Sequence, residues 1–283
     1  MNCPIDNEVT QQVFQKDGFW IRECSVCHHQ FIEITTSKMH ATQVYGDNYF
    51  IGGGAGYSSY ISEANIITDH GRRYGKILNN FIKSGKVLDV GAAAGFILKG
   101  LREHGWDGIG LEPNATMAEY ARQNVGVDVK VGTLEQFNSD ATFDLVTMIQ
   151  VVPHFYNLHE ALSTAAKLTK PSGYWLIETW SKDSLMARMM GRNWHEYSPP
   201  SVLHFFSPAT LGQLVRQFGF EEVARGRPAK KINSSHAKSL LQHKLQGSTV
   251  GKLGAKLLSL IPDGLTLPYP SFDLFWALYK KSA

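Results

Sequence analysis

The stretch Gly91-Ala92-Ala93-Ala94-Gly95 follows a short apolar run at 87–90 and precedes Phe96, Ile97, Leu98 and Leu101, which recur at helical spacing. A strand, a small-residue turn and a helix make the common cradle for a nucleotide-sized cofactor. A dinucleotide fingerprint needs G-x-G-x-x-G, so that the backbone can close on a pyrophosphate. Gly91 fits its first position, but Ala93 takes the second and Phe96 stands where the third falls. The β-carbon of Ala93 would crowd a diphosphate, whereas S-adenosylmethionine (SAM) has no phosphate and tolerates a less open turn. Glu112, 21 residues after Gly91, ends the next strand-like run, where a carboxylate can accept both hydroxyls of a ribose.

Strand and helix patterns must alternate to place these groups, and from Lys76 they do. After the helix closed by Gly105 come "GIGLEPN" (strand), 115–123 (helix), "VDVKV" (strand), "FDLVTMIQ" (strand), 158–168 (helix) and "GYWLIETW" (strand). "SPATLGQLVRQFGF" adds a helix with Ser207 as N-cap and Pro208 as first residue, then "EEVAR". Such alternation predicts an α/β fold, a parallel sheet with helices on both faces. A Lys-rich, partly helical piece at about 228–270 interrupts the rhythm before "FDLFWALYKK" closes the chain as an aromatic strand.

Four segments in this order resemble the class I SAM-dependent methyltransferases, from about Gly75 to the end. "VLDVGAAAGFIL" resembles their first motif and "GLEPN" the acid that follows it. "FDLVTMIQVVPHFYNLHEAL" resembles the fourth-strand motif with its helix, and "LTKPSGYWLIETW" the turn into strand five. The resemblance implies a Rossmann-like, seven-stranded, mostly parallel sheet with an antiparallel last strand. It also implies cofactor positions: Asp89, Gly91, Ala92, Gly95 and Phe96 for the methionine and sugar parts, and Glu112 with Pro113 at the ribose. Thr133, Leu134 and Glu135 would flank the adenine, without the Asp many relatives place there, and Gln150 would line the site at the end of strand four. Pro153 replaces an acid common in the family before its histidine.

The resemblance narrows to bacterial members with a small zinc-ribbon-like N-terminus, and divides the chain into 1–35, a lid and helix at 36–75, and a methyltransferase domain at 76–283. All three cysteines lie in the first 27 residues, and Cys3, Cys24 and Cys27 match the ribbon pattern "CPxC…CxxC", with Asp6 in the place of its second ligand. Structural zinc prefers thiolates in tetrahedral sets, so a Cys3, Asp6, Cys24, Cys27 site with His28 or His29 as substitutes, and a knuckle that folds without metal, both stay open. Tyr45, Tyr49 and Phe50 fall where relatives carry a lid over the cofactor, and Gly52, Gly53, Gly54 and Gly56 would free it to move.

Methyl transfer is an in-line displacement, so the protein aligns the nucleophile and, for a hydroxyl, removes its proton. Histidine is the usual base near neutral pH. His154, which coincides with a family histidine, His204 in "VLHFFSP" and His195 in "NWHEYSPP" are the candidates. Each has a structural alternative: His154 as a helix-positioning residue, His204 as a hydrogen-bonded core residue. His159 is expected to face solvent. Trp194, Tyr197, Phe205 and Phe206 read as core or as pocket wall.

Bulk properties set the frame. Hydrophobic content of 43% with 19% charged residues describes a globular chain rather than a disordered one. The net charge of +3 is too small to argue for nucleic acid, and no basic stripe with interleaved aromatics appears. From Arg225 onward ten Lys/Arg face two acids, so the tail is basic. Its short amphipathic stretches would suit an anionic membrane surface or a phosphorylated substrate, and as a simpler reading form a solvated face. No apolar run reaches the ~18 residues of a membrane span, no export signal opens the chain, and the few cysteines fit reduced thiols, so a cytoplasmic location is expected. The resulting expectation is a SAM-dependent methyltransferase acting on a small molecule or glycan intermediate, at oxygen. An oxidoreductase using a nicotinamide cofactor and a non-catalytic SAM-binding module are the rivals.

Overall fold

The computed structural model describes residues 1–37, 40, 44–46, 60–229, 231–233, 266–268 and 272–282. Tyr49, Phe50 and the glycines at 52–56 of the expected lid, and most of the basic piece at 228–270, lie outside the described residues.

In chain order the elements are β1 (Thr10–Lys16), β2 (Phe19–Cys24), β3 (Gln30–Ile32), α1 (Ala64–Leu78), β4 (Lys86–Val90), α2 (Phe96–Arg102), β5 (Asp107–Glu112), α3 (Ala115–Tyr120) and β6 (Val129–Val131). Then follow β7 (Phe143–Ile149), α4 (Leu158–Leu168), β8 (Thr169–Trp180), α5 (Leu185–Met190), β9 (His204–Phe205), α6 (Pro208–Arg216), β10 (Phe220–Gly226), β11 (Lys231–Asn233), β12 (Thr266–Pro268) and β13 (Leu274–Lys281). The central sheet has seven strands in the order β10-β13-β8-β7-β4-β5-β6. β4 to β8 run parallel, and β13 lies antiparallel to both β8 and β10. This is the α/β alternation that the sequence pattern implies, and the Rossmann-like sheet with an antiparallel last strand that the family resemblance implies.

Period-two alternation builds a core on each face. Val87, Leu145, Leu176 and Leu278 point to one side, against Leu78 of α1, Leu98 and Leu101 of α2 and Ala118 of α3. Leu88, Val146, Trp175 and Ile177 point to the other, against Leu158 and Leu162 of α4 and Leu211 and Leu214 of α6. The predicted cap of α6 is a full capping box: Ser207 accepts from the Thr210 N–H, and Thr210 Oγ1 accepts from the Ser207 N–H. The helix expected at 115–123 ends sooner. Beyond Tyr120 the chain widens into a π-type turn, because the N–H groups of Gly126 and Val127 both reach back to the Ala121 carbonyl.

The N-terminal strands do not stand apart. They form a four-stranded antiparallel sheet in the order β1-β2-β3-β9, whose fourth strand comes from residues 204–205, between α5 and α6. Trp194, Tyr197 and Phe205 are buried there with Ile21 and Ile32, so three of the four possible pocket-wall aromatics pack this junction; Phe206 enters the main core. His159, expected to face solvent, is exposed at the ring but bonds through Nε2 to the Pro4 carbonyl at 2.5 Å, and Gln217 reaches the Ile5 carbonyl at 2.5 Å. No helix among the described residues is long and apolar enough to cross a membrane.

Candidate functional site

The residues singled out for chemistry converge on the C-terminal edge of β4, β5 and β7, where open α/β sheets place their ligands. Leaving β4, the chain bends through Gly91 and Gly95, both in the left-handed region (φ 67° and 75°). Added β-carbons would meet Val151 Cγ2 at 2.4 Å and Val127 Cγ2 at 2.3 Å, so neither position admits a side chain without displacing its neighbour. Ala93 also takes positive φ, 46°, a conformation that strains a residue bearing a β-carbon. Glu112 supplies the reason. Its Oε2 accepts the Ala93 N–H at 2.8 Å and its Oε1 the Asn114 N–H at 2.9 Å. The acid thus ties the turn after β4 to the residues after β5, with Ala92, Ala93 and Phe96 buried around it.

Asp89 lies beside this pair, buried on β4. Its Oδ1 accepts from Thr147 Oγ1 at 2.6 Å, and its Oδ2 is buried without a hydrogen-bond partner among the described residues. Burial pushes both carboxyls up to about 7. At Asp89 the Thr147 bond and the Leu98 backbone oppose the rise, and at Glu112 the two backbone N–H donors oppose it while the Asp89 charge adds to it. An edge that keeps a buried oxygen unpaired and two acids near neutrality is poised for a ligand with hydroxyl donors or positive charge.

His154 joins the same edge. Its Nδ1 is 2.7 Å from the Ser201 carbonyl and 2.8 Å from the Tyr45 hydroxyl. A carbonyl only accepts, so Nδ1 carries the ring proton and Nε2 is the basic atom. Burial holds this ring below the ordinary histidine range, with the Ser201 bond opposing. Tyr45 completes a bridge, since its own carbonyl accepts from Asn114 Nδ2 at 3.0 Å. Asn114 also caps α3 by accepting from the Met117 N–H. Pro113 lies between the two bridged groups, and Gln150, ending the run of β7, holds a left-handed φ of 57°.

Thr133, Leu134 and Glu135 follow β6, where the Gly132 N–H bonds the Glu112 carbonyl at 2.9 Å, whereas His204, His195 and the cysteines sit elsewhere. Leu134 is buried in the main core, Thr133 Oγ1 is buried near the Glu135 carboxyl and the Tyr156 hydroxyl, and Glu135 accepts from the Tyr156 N–H at 3.0 Å. His204 belongs to the junction with the N-terminal sheet, its ring 5.7 Å from that of His29. His195 lies 3.8 Å from Asp273, in a cluster with Trp180 and Trp194. Cys3, Asp6, Cys24 and Cys27 come together, with ligand atoms all within 4.8 Å of one another.

The sequence reading missed one constellation. Glu178 of β8, wholly buried, accepts from His70 Nε2 and Gln150 Nε2, each at 2.7 Å, and from the Tyr74 hydroxyl. His70 and Tyr74 lie a turn apart on α1, a pattern that read only as helix. The signal available was an acid inside the apolar run "GYWLIETW", which a β-strand buries only when partners await it.

A family model described as a methyltransferase domain matches residues 66–224, more than half of the chain. Among curated proteins, a ubiquinone biosynthesis O-methyltransferase of Rhodopseudomonas palustris is 26% identical over 150 residues, 47% of this chain and 57% of that protein. One of the same description from Rickettsia bellii is 24% identical over 159 residues, 50% of this chain and 64% of that protein. The chain spans less than two thirds of the length of these curated relatives. Among solved structures, a SAM-dependent methyltransferase of Thermotoga maritima aligns with a TM-score of 0.52 at 21% identity, covering 79% of this chain and 93% of that one. Magnesium protoporphyrin IX methyltransferase of Synechocystis, solved with bound S-adenosylhomocysteine, aligns with a TM-score of 0.54 at 12% identity, covering 86% and 96%. At these identities the structural likeness establishes the fold.

The histidines at the junction make stability depend on pH. Burial pushes His204 down to about 4, with the Phe155 backbone opposing, and holds His29 well below the ordinary histidine range. A group whose folded value lies below its unfolded value of ~6.5 costs nothing above that pH and costs progressively more as pH falls toward the folded value. Urea unfolding of the wild-type chain is expected to lose stability between pH 7 and pH 5, with His204 contributing about 2 kcal/mol. The His204→Phe variant should show a loss smaller by that amount, and an equal loss in both proteins would refute the assignment.

Proposed function

The chain belongs to the methyltransferase-domain family, and on that premise we propose that it transfers a methyl group from SAM to an oxygen of a small-molecule or glycan intermediate. The observation that carries the cofactor is the turn itself. Glu112 takes the Ala93 N–H, so this backbone group is not presented to a phosphate as a dinucleotide fold requires, while the carboxylate retains lone pairs for ribose hydroxyls. Oxygen as the acceptor atom is supported by relatives described as O-methyltransferases, 26% and 24% identical to this chain.

SAM supplies an electrophilic methyl on a sulfonium. The chain's residues bind and orient around it: Asp89, Gly91, Ala92, Gly95 and Phe96 at the turn, Glu112 and Pro113 for the ribose, Thr133 and Leu134 toward the adenine, and Gln150 at the end of β7. Tyr49 belongs to the same proposal from sequence alone. His154 receives the acceptor's hydroxyl proton at Nε2, while Ser201 and Tyr45 hold the opposite edge of its ring. The methyl would pass to the acceptor oxygen, with the electron pair of the broken carbon–sulfur bond staying on the sulfur. His204, packed at the junction, fits a role in holding the two sheets together better than one at the acceptor.

The N-terminal cluster fits zinc. A tetrahedron with Zn–S bonds of ~2.3 Å has edges of ~3.8 Å, and Cys3 Sγ lies 3.6 Å from Cys27 Sγ. Asp6 Oδ1 is 3.3 Å from Cys24 Sγ, and backbone N–H groups of Ile5, Val26 and Cys27 point at the sulfurs of Cys3 and Cys24. Burial pushes the Cys3 thiol up to about 12 and Cys27 up as well, so a bound cation is what would make thiolates favourable here. In this proposal Cys3, Asp6, Cys24 and Cys27 hold a structural ion.

Calorimetric titration decides the cofactor. Saturable binding of S-adenosylhomocysteine with no heat from NAD is expected, and binding of NAD instead would replace this reading with the oxidoreductase one. For the base, His154→Gln is expected to keep S-adenosylhomocysteine binding and to slow transfer to a hydroxyl acceptor by about 100-fold; a rate within threefold of wild type removes His154 from the chemistry. For the metal, elemental analysis should find one zinc per chain, and Cys24→Ser should lose it together with several degrees of melting temperature. Metal-free protein with an unchanged melting temperature would show a knuckle that needs no ion.

A further inference from the structure

The Glu178 constellation has a charge that its hydrogen bonds define. Arg73 lies 3.1 Å from His70 Nδ1, and a guanidinium only donates, so Nδ1 is the acceptor edge of a neutral imidazole. His70 Nε2 therefore carries the proton and donates to Glu178 Oε2. Tyr74 donates to the same oxygen and Gln150 Nε2 to Oε1. These three partners all donate, which suits a carboxylate and not a carboxylic acid. Arg73 stands one residue removed, behind His70, with its Nε buried and unpaired among the described residues.

The position of this carboxylate gives the charge its meaning. The Gln150 N–H also bonds the Glu178 backbone carbonyl at 2.8 Å. The next residue, Val151, fills the space where a Gly91 side chain would stand. Gln150 and Val151 thus link Glu178 to the cofactor turn. With Asp89 and Glu112, it places three buried carboxylates toward the C-terminal ends of β4, β5 and β8. Asp89 Oδ2 lacks a close hydrogen-bond partner among the described residues, which leaves part of this acidity available to a ligand.

Resting on the cofactor reading above, we infer that Glu178 is a specificity residue for donor charge: its buried field favours the sulfonium of SAM over the neutral thioether of S-adenosylhomocysteine. The two ligands share the adenosine and the amino-acid end and differ by one methyl and one positive charge. Low local dielectric lets a nearby carboxylate act on that charge without touching it. The consequence is a cleft that holds its donor and lets its product go. Arg73, through His70, moderates the field.

The test is calorimetry of the full-length chain with SAM and with S-adenosylhomocysteine, no acceptor present, so that the change in the ratio of the two dissociation constants from wild type to variant cancels the extra methyl and reports the field at the sulfonium. In E178Q, which keeps the side-chain shape, SAM is expected to weaken about tenfold, about 1.4 kcal/mol, relative to S-adenosylhomocysteine. In R73Q the ratio should move the opposite way, since a cation has been removed. A merely structural role would weaken both ligands alike, and equal changes in E178Q, or none, overturn the inference. If E178Q does not fold, R73Q decides: an unchanged ratio there overturns it. A wild-type chain that binds neither ligand overturns the cofactor reading, and this inference with it, whereas binding of both with an unshifted ratio overturns the inference alone.

Discussion

A buried carboxylate must find donors, and Glu112 finds them in the backbone. That requirement organises the C-terminal edge of the sheet. To bring the Ala93 N–H within reach, the chain after β4 has to turn left-handed at Gly91, again at Ala93 and again at Gly95. Gly91 and Gly95 enter that region at little cost, whereas Ala93 is strained, and the bond to a charged acceptor offsets the strain. The other oxygen fixes Asn114, which caps α3 and anchors Tyr45, and Tyr45 in turn holds the ring edge of His154. One acid therefore sets the turn, the start of α3 and, at two removes, a histidine 42 residues further along the chain.

The N-terminal sheet is bound to this edge by different means. Its fourth strand is only two residues long and is donated by the segment after α5, so neither part completes the sheet alone. Pro4 and Ile5 offer carbonyls to His159 and Gln217, and Cys3, Ile5 and Cys24 sit in the same core as Leu158 and Leu211. Leu203, next to β9, donates its N–H to the Pro153 carbonyl, beside His154. Anything that orders the cysteine cluster is thereby connected, through packed backbone, to the position of the histidine proposed as base.

Much of this was legible in the sequence because it is local. The helix at 158–168 declares itself by spacing, α6 by Ser207-Pro208, and the cofactor turn by its run of small residues between a strand and a helix. The antiparallel last strand came through family resemblance and not through periodicity. What could not be read are pairings over distance. Tyr74 and Glu178 are 104 residues apart, Tyr45 and His154 are 109, and nothing in the pattern around either partner announces the other. β9 escaped for another reason: two residues carry no period, and His204-Phe205 becomes a strand only because β3 presents a free edge to it. His159 shows the limit from the other side, since a polar residue on an amphipathic helix reads as solvated until a second segment arrives to accept its hydrogen bond.

The acids at this edge raise the question of why a fold would keep such costly groups. Burying carboxylates is unfavourable, and the edge reduces that cost in three ways: backbone donors at Glu112, side-chain donors at Glu178, and partial neutralisation of Asp89 and Glu112 near pH 7. None of the three removes it, as the Asp89 oxygen without a hydrogen-bond partner among the described residues records. A hydrophobic edge of the same shape would be the more stable solution for the sheet alone. Retaining the acids makes physical sense if the missing compensation is brought by what binds. A ligand with ribose hydroxyls and positive charge would supply the donors that Asp89 and Glu112 lack and would favour their ionised forms. The stability given up in the empty cleft would then return as affinity for the charged donor, and only in part for its neutral product.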